Sequence, residues 1–155
     1  MTELNLNFGV LLEITEDWIR NSQIGNRIIA RIIDGDKVFD IAVGGAYFVE
    51  NLETIYLVTK SRNQQDILDD QGKVLNDETP QGIYRDLESL ERDGLDYGTP
   101  LEIEIWFTDE EDEIQFRLEC HKYHIDKDCL ILIHSLGSED DELKEEFRHM
   151  LHQQY

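Results

Sequence analysis

Five carboxylates in succession, Asp109, Glu110, Glu111, Asp112 and Glu113, and a second run, Glu139, Asp140, Asp141 and Glu142, are the densest charge in this chain. Like charges this close repel one another until something cationic approaches, so their chemistry is attraction of a basic surface rather than bond making. Cys120, His121, His124 and Cys129 are the densest group of metal-ligand types. Their Cys-x3-His-x4-Cys spacing is loosely that of a zinc knuckle, but the tight Cys-x2-Cys turn is missing. On a strand, residues 121 and 124 would also point to opposite faces. His149 and His152 stand one helical turn apart with Glu145 one turn earlier, which could clasp a cation. The simpler reading is that histidines near a helix C-terminus complement the negative end of the dipole.

Nucleophile chemistry fares no better. Ser135 beside His134 lacks the Gly-x-Ser-x-Gly setting, and the other carboxylates are too dispersed to choose an acid and a base among them. Gly44-Gly45 has no third glycine, no Lys-Ser/Thr and no following helix, so it reads as a turn or bulge, not a phosphate loop. We assign no catalytic residue, no metal ligand and no cofactor.

The element that positions the acidic tip is a β-hairpin. Leu101, Ile103, Ile105 and Phe107 alternate with Glu102, Glu104 and Trp106, and Ile114, Phe116, Leu118 and Cys120 alternate with Gln115, Arg117 and Glu119. Period two makes one face core and the other solvent. Residues 108–113 form the connection. Asp126-Lys127-Asp128 then turns the chain into a more buried strand, Cys129 to His134, which completes an antiparallel meander.

Upstream, Leu4, Leu6, Phe8, Val10, Leu12 and Ile14 alternate and predict a long first strand, followed by a turn carrying Trp18 as a core anchor. Arg27 to Ile33 and Lys37 to Val43 flank Asp34-Gly35-Asp36, a tight hairpin signal. Ala46 to Val49 and Thr54 to Thr59 read as two further strands. Residues 60–79 are polar and turn-rich, with a small strand-turn-strand possibility from Ile67 to Leu75. Thr79-Pro80 caps a helix over 80–93 that buries Ile83, Leu87 and Leu90 and stops at Gly94. Ser138 caps a C-terminal amphipathic helix over 138–152 with Leu143, Phe147, Met150 and Leu151 as its apolar stripe.

Composition limits the partners. The chain has 155 residues and a net charge of −21, from 35 acidic against 14 basic residues. Residues 76–155 hold 23 of the acids against 12 in residues 1–75, with 7 bases in each part. Such a field repels bare nucleic acid and anionic membranes and speeds encounter with basic proteins. At 40% hydrophobic residues the chain is still apolar enough to fold. The N-terminus lacks the basic start and apolar core of a signal peptide, no apolar run reaches membrane-span length, and two cysteines make no disulfide framework. Cytoplasm is therefore the expected compartment, and residues 1–155 are read as one globular domain.

Arg85 to Phe107, with Leu87, Leu90, Gly94, Leu95, Pro100, Ile103, Ile105 and Trp106-Phe107, resembles the helix-to-first-strand segment of the bacterial ribonuclease E inhibitor family. The resemblance covers 23 residues and no catalytic motif. It implies a small acidic inhibitor of a nuclease. Its ferredoxin-like pattern would place a helix after the strand, where Ile114 to Cys120 alternates as a strand.

The reading is an α+β fold, mostly antiparallel sheet of about six to eight strands with two helices packed on it. The expected function is a non-enzymatic, acidic, protein-binding inhibitor: an immunity-type neutraliser of a nuclease or other basic toxin. Asp109 to Glu113 and Glu139 to Glu142 would supply charge, and Trp106 or Tyr123 an apolar anchor. One alternative is a phage-type DNA mimic that blocks a host defence protein. The alternative of a different class is a small metal-dependent enzyme or a structural module using the His/Cys cluster.

Overall fold

Asn7 ends the segment that alternation assigns to a strand, because its side chain accepts the Val10 N–H at 2.9 Å and opens a helix. The computed structural model describes residues 6–23, 25–59, 80–109, 112–120, 122–126, 128–137 and 142–155. Within them α1 spans Phe8–Arg20, so the predicted first strand is a helix. Phe8, Leu11, Leu12, Thr15 and Trp18 recur at helical spacing and are its buried face. The competing period-two pattern already failed at Leu11, an apolar residue where a polar one was needed. Two N–H groups at the helix start are met from outside it: Phe8 donates to the Thr99 carbonyl and Gly9 to that of Tyr97, both at 2.9 Å. Trp18 is a core anchor, as expected, but on the last turn of a helix.

The strands β1 (Arg27–Asp34) and β2 (Lys37–Val49) form the predicted hairpin, with Gly35-Asp36 as its two-residue loop and Gly35 at φ +63°. β2 runs on through Gly44-Gly45. The register shifts between Val43 and Gly45, so the glycine pair is a bulge, and the two predicted strands are one bent strand. Before the bulge β2 pairs with β1; beyond it β2 pairs with β3 (Thr54–Thr59). After β3, α2 (Pro80–Arg92) carries the chain to β4 (Leu101–Asp109) in parallel with β3. Gly94, at φ +88°, donates to Glu91, and Leu95 donates to Leu90, closing the helix as the sequence predicts. The Thr79 cap, Leu4 and the possible strands in 60–79 lie outside the described residues.

The rest is β5 (Asp112–Glu119), β6 (Lys122–Asp126), β7 (Cys129–Ser135) and α3 (Glu142–Gln154). β5 is a strand where the ribonuclease E inhibitor pattern would place a helix. The described part of α3 starts four residues later than predicted; Ser138 lies outside the described residues.

All the described strands join one seven-stranded sheet in the order β5-β4-β3-β2-β1-β7-β6. Four neighbouring pairs are antiparallel; β1/β7 and β3/β4 are parallel. The fold is thus α+β, mainly antiparallel, with three α-helices among the described residues where two were expected. The predicted meander is not formed: β7 pairs in parallel with β1, and β5 and β6 are opposite edges of the sheet. Flat, those edges would lie about 29 Å apart, six strand spacings of about 4.8 Å. Only two residues separate Glu119 from Lys122, a reach of about 11 Å at most. The sheet is therefore strongly curled, and the Glu119 carbonyl lies 2.8 Å from His134 Nδ1 on β7. The bulge in β2 and the corner at Cys120 are the bends that allow this.

One face of the sheet joins α1, α2 and α3 in the main core, where Phe107 and Phe116 meet Phe147 of α3. The opposite face carries a smaller cluster of Tyr47, Tyr56 and Val58 with Val49 and Trp106, and no described helix residue joins it.

Candidate functional site

Parity along β4 sends Glu102, Glu104 and Trp106 to this outer face, which sequence alone would leave to solvent. The structure instead buries Glu104 completely, at 0% exposure. Register explains how: Val58 lies beside Glu104 on β3, Arg117 opposite it on β5, and Tyr47 beside Tyr56 across β2 and β3. The Glu104 carboxylate accepts from the Tyr47 hydroxyl at 2.6 Å, Trp106 Nε1 at 2.7 Å and Arg117 Nε at 2.9 Å. Arg117 Nη2 also donates to the Tyr47 oxygen at 3.1 Å, and its guanidinium carbon lies 4.2 Å from the centre of the Tyr56 ring. A buried charge is tolerated only when paired and hydrogen-bonded in this way.

The backbone under the site is fixed by Thr59. Its hydroxyl donates to the Glu104 carbonyl and accepts the Trp106 N–H at 3.1 Å, continuing the ladder just past the last Val58/Glu104 rung. Burial, then the bond to Glu104, pushes the Tyr47 hydroxyl well above its ordinary range. Burial also raises Tyr56, helped by Glu102. Arg117 is held more firmly charged than usual: burial opposes this, but the bonds to Glu104 and Tyr47 outweigh it. Tyr47, Tyr56 and Arg117 are thus each held more firmly protonated than usual. The arrangement is a hydrogen-bonded aromatic and ionic network under the outer face of the sheet.

The acidic tip sits at the end of the same hairpin, three residues beyond Trp106. β4 and β5 run further than predicted, pairing Thr108 with Glu113 and Asp109 with Asp112, so only Glu110 and Glu111 lie between the strands. Those two residues, like Glu139, Asp140 and Asp141, lie outside the described residues, and Glu142 opens α3. Trp106 is half-buried with its indole N–H committed to Glu104. Tyr123, the other proposed anchor, stands opposite Leu132 and packs against the main core.

The described residues considered for metal binding are not brought together. Cys120 Sγ lies 3.4 Å from the Lys122 carbonyl, while Cys129 Sγ lies 3.9 Å from Asp128. His124 is exposed on β6, and His121 lies outside the described residues. On α3, His152 Nε2 meets Asp34 at 2.7 Å and its ring packs edge-on against Phe39, whereas Glu145 pairs with Arg148. Among the described residues no three His, Cys, Asp or Glu side chains gather as a metal site. No helix among them is long and apolar enough to cross a membrane.

Sequence reasoning found Trp106 but missed Glu104, Arg117, Tyr47 and Tyr56 as a unit. The alternation placed Glu104 and Arg117 on one face; bringing Tyr47 there required the bulge at Gly44 and the β2/β3 register. Comparison with protein-family models, curated proteins and solved structures finds no match for this chain.

Proposed function

We propose that this protein is a non-enzymatic acidic inhibitor that binds the basic surface of a protein partner, in its sharpest form an immunity-type neutraliser of a nuclease or other basic toxin. What supports the reading is the fate of the cations. Arg20, Arg31, Arg92, Arg117 and Arg148 each sit on a carboxylate of the protein itself. These internal pairings use up scarce positive charge, and a net charge of −21 remains. A field of that sign and size steers a basic protein toward the surface, and salt weakens it. The rigid hairpin would present the tip and Trp106 together.

The test is capture from source-cell lysate on the immobilised protein at low salt, elution by salt, and assay of the eluted protein for nuclease activity with and without added inhibitor. Loss of activity at one-to-one stoichiometry is expected. Retention of no basic protein at low salt, or full nuclease activity at saturating inhibitor, would overturn the reading. If the captured protein binds DNA without cutting it, competition between DNA and this protein would identify the DNA-mimic form.

A further inference from the structure

Glu102 and Glu119 stand directly opposite each other on β4 and β5, an arrangement that weakens a ladder when both are charged. The guanidinium of that face cannot relieve them, because Arg117 is committed to Glu104 and the Tyr47 hydroxyl and stacked on Tyr56. No other described cation is paired with Glu102 or Glu119, and Glu119 is exposed. Among the described side chains the face therefore holds three carboxylates, Glu102, Glu104 and Glu119, to one guanidinium, with the Tyr56 hydroxyl bonded to Glu102 and the Trp106 indole to Glu104. Tryptophan, tyrosine and arginine held in this way are the residue types that dominate protein interfaces.

We infer that the outer face of the β3, β4 and β5 ladder docks an arginine-bearing segment of the basic partner, with Glu102 and Glu119 as its carboxylate pair and Trp106 as the flanking ring. This rests on the inhibitor reading above and adds to it a surface distinct from the acidic tip. Arginine fits better than lysine: its planar fork can bridge two carboxylates, and its flat face stacks on an aromatic ring.

Titration of the 15N-labelled protein with a hexa-arginine peptide at low salt tests this. The protein has two tryptophans, and Trp18 is buried in the main core, so its indole N–H signal is an internal reference. The Trp106 indole signal and the β4 and β5 amides should shift first. The E102Q/E119Q variant should bind about tenfold more weakly, the loss expected for two ion pairs, one at an exposed and one at a half-buried glutamate. Shifts confined to the tip or to α3, or unchanged affinity in E102Q/E119Q, would overturn this surface while sustaining the inhibitor reading. No shift anywhere would overturn both. Trp106 shifts that follow protein concentration without peptide would assign the face to a second copy of the chain and overturn the proposal.

Discussion

Glu104 and Arg117 face each other across β4 and β5 with Nε 2.9 Å from Oε2, the carboxylate wholly buried and the guanidinium side chain 33% exposed. Removing either partner strands the other. E104A, which leaves Trp106 Nε1, the Tyr47 hydroxyl and Arg117 without their shared acceptor, should lower the unfolding free energy by about 3 kcal/mol, the lower end for a buried pair because part of the arginine is in water. The double variant E104L/R117M should recover only the share of that loss due to the stranded guanidinium, since Trp106 Nε1 and the Tyr47 hydroxyl still lack their acceptor. Urea titrations of the single and double variants measure the coupling. A double variant as unstable as the sum of the singles would deny it.

Asp34 at the end of β1 makes the acid side of the stability profile specific. It accepts His152 Nε2 at 2.7 Å and Arg148 Nε at 3.2 Å. The His152 bond first, then Arg148, holds its carboxyl below the ordinary 3.8 against an opposing effect of burial. A folded-state pKa below the unfolded one means the stabilisation is present above about 3.8 and disappears as pH falls through the lower folded value. D34N should therefore be less stable than the parent above that pH, and the gap should close in more acid solution. Urea midpoints at a series of acid pH values check this; a constant gap throughout the acid transition would contradict it.

These two contacts show what was legible in sequence. The hairpin alternation, the Asp-Gly turn, the Gly94 stop and the apolar stripe of α3 are local signals, and each marks a real element. The first helix reads as a strand because Leu4 to Ile14 satisfies period two everywhere except Leu11, while Phe8, Leu11, Leu12, Thr15 and Trp18 satisfy 3.6, and the Asn7 cap decides between them. The parallel insertion of β7 beside β1 and the pairing of Asp34 with His152, 118 residues apart, depend on long-range topology. No spacing along the chain encodes either. The burial of Glu104 is of the same kind: identical alternation leaves Glu102 half-buried and Glu104 sealed, and the difference lies in neighbours from β2 and β3.

Gly94 is the conformational stop of α2. At φ +88° a side chain is strained although nothing crowds the site, so G94A should cost about 1–2 kcal/mol. G98A is the control: a Cβ there meets only Asp96 Oδ1 at 3.5 Å, and its change should stay within about 0.5 kcal/mol. Thermal unfolding of the two variants compares them directly. Equal midpoints would show that the helix stop does not need glycine.

The thiol of Cys120 should be slow to react. Burial pushes it up to about 11, with backbone bonds from Ile133 and Lys122 pulling the other way. Little thiolate then exists at mildly alkaline pH, and thiolate is the reactive form. Alkylation by iodoacetamide, followed by peptide mapping, should label Cys120 far faster in urea than in the native state. Equal rates would mean the thiol is not shielded.

Neutralising the tip separates its charge from the hairpin that carries it. The variant D109N/E110Q/E111Q/D112N/E113Q should keep the fold, because Thr108 still pairs with Glu113→Gln and the two ends of the hairpin remain in register. Its thermal midpoint should equal or exceed that of the parent, since five carboxylates in succession repel one another and the variant removes that repulsion. If the tip steers a basic partner, association should slow and its salt dependence should flatten, whereas dissociation should change less. Stopped-flow association with the captured partner at low and high salt measures both effects. An unchanged rate and salt slope would remove the tip from the interface, leaving its carboxylates as solubilising charge at the end of the sheet.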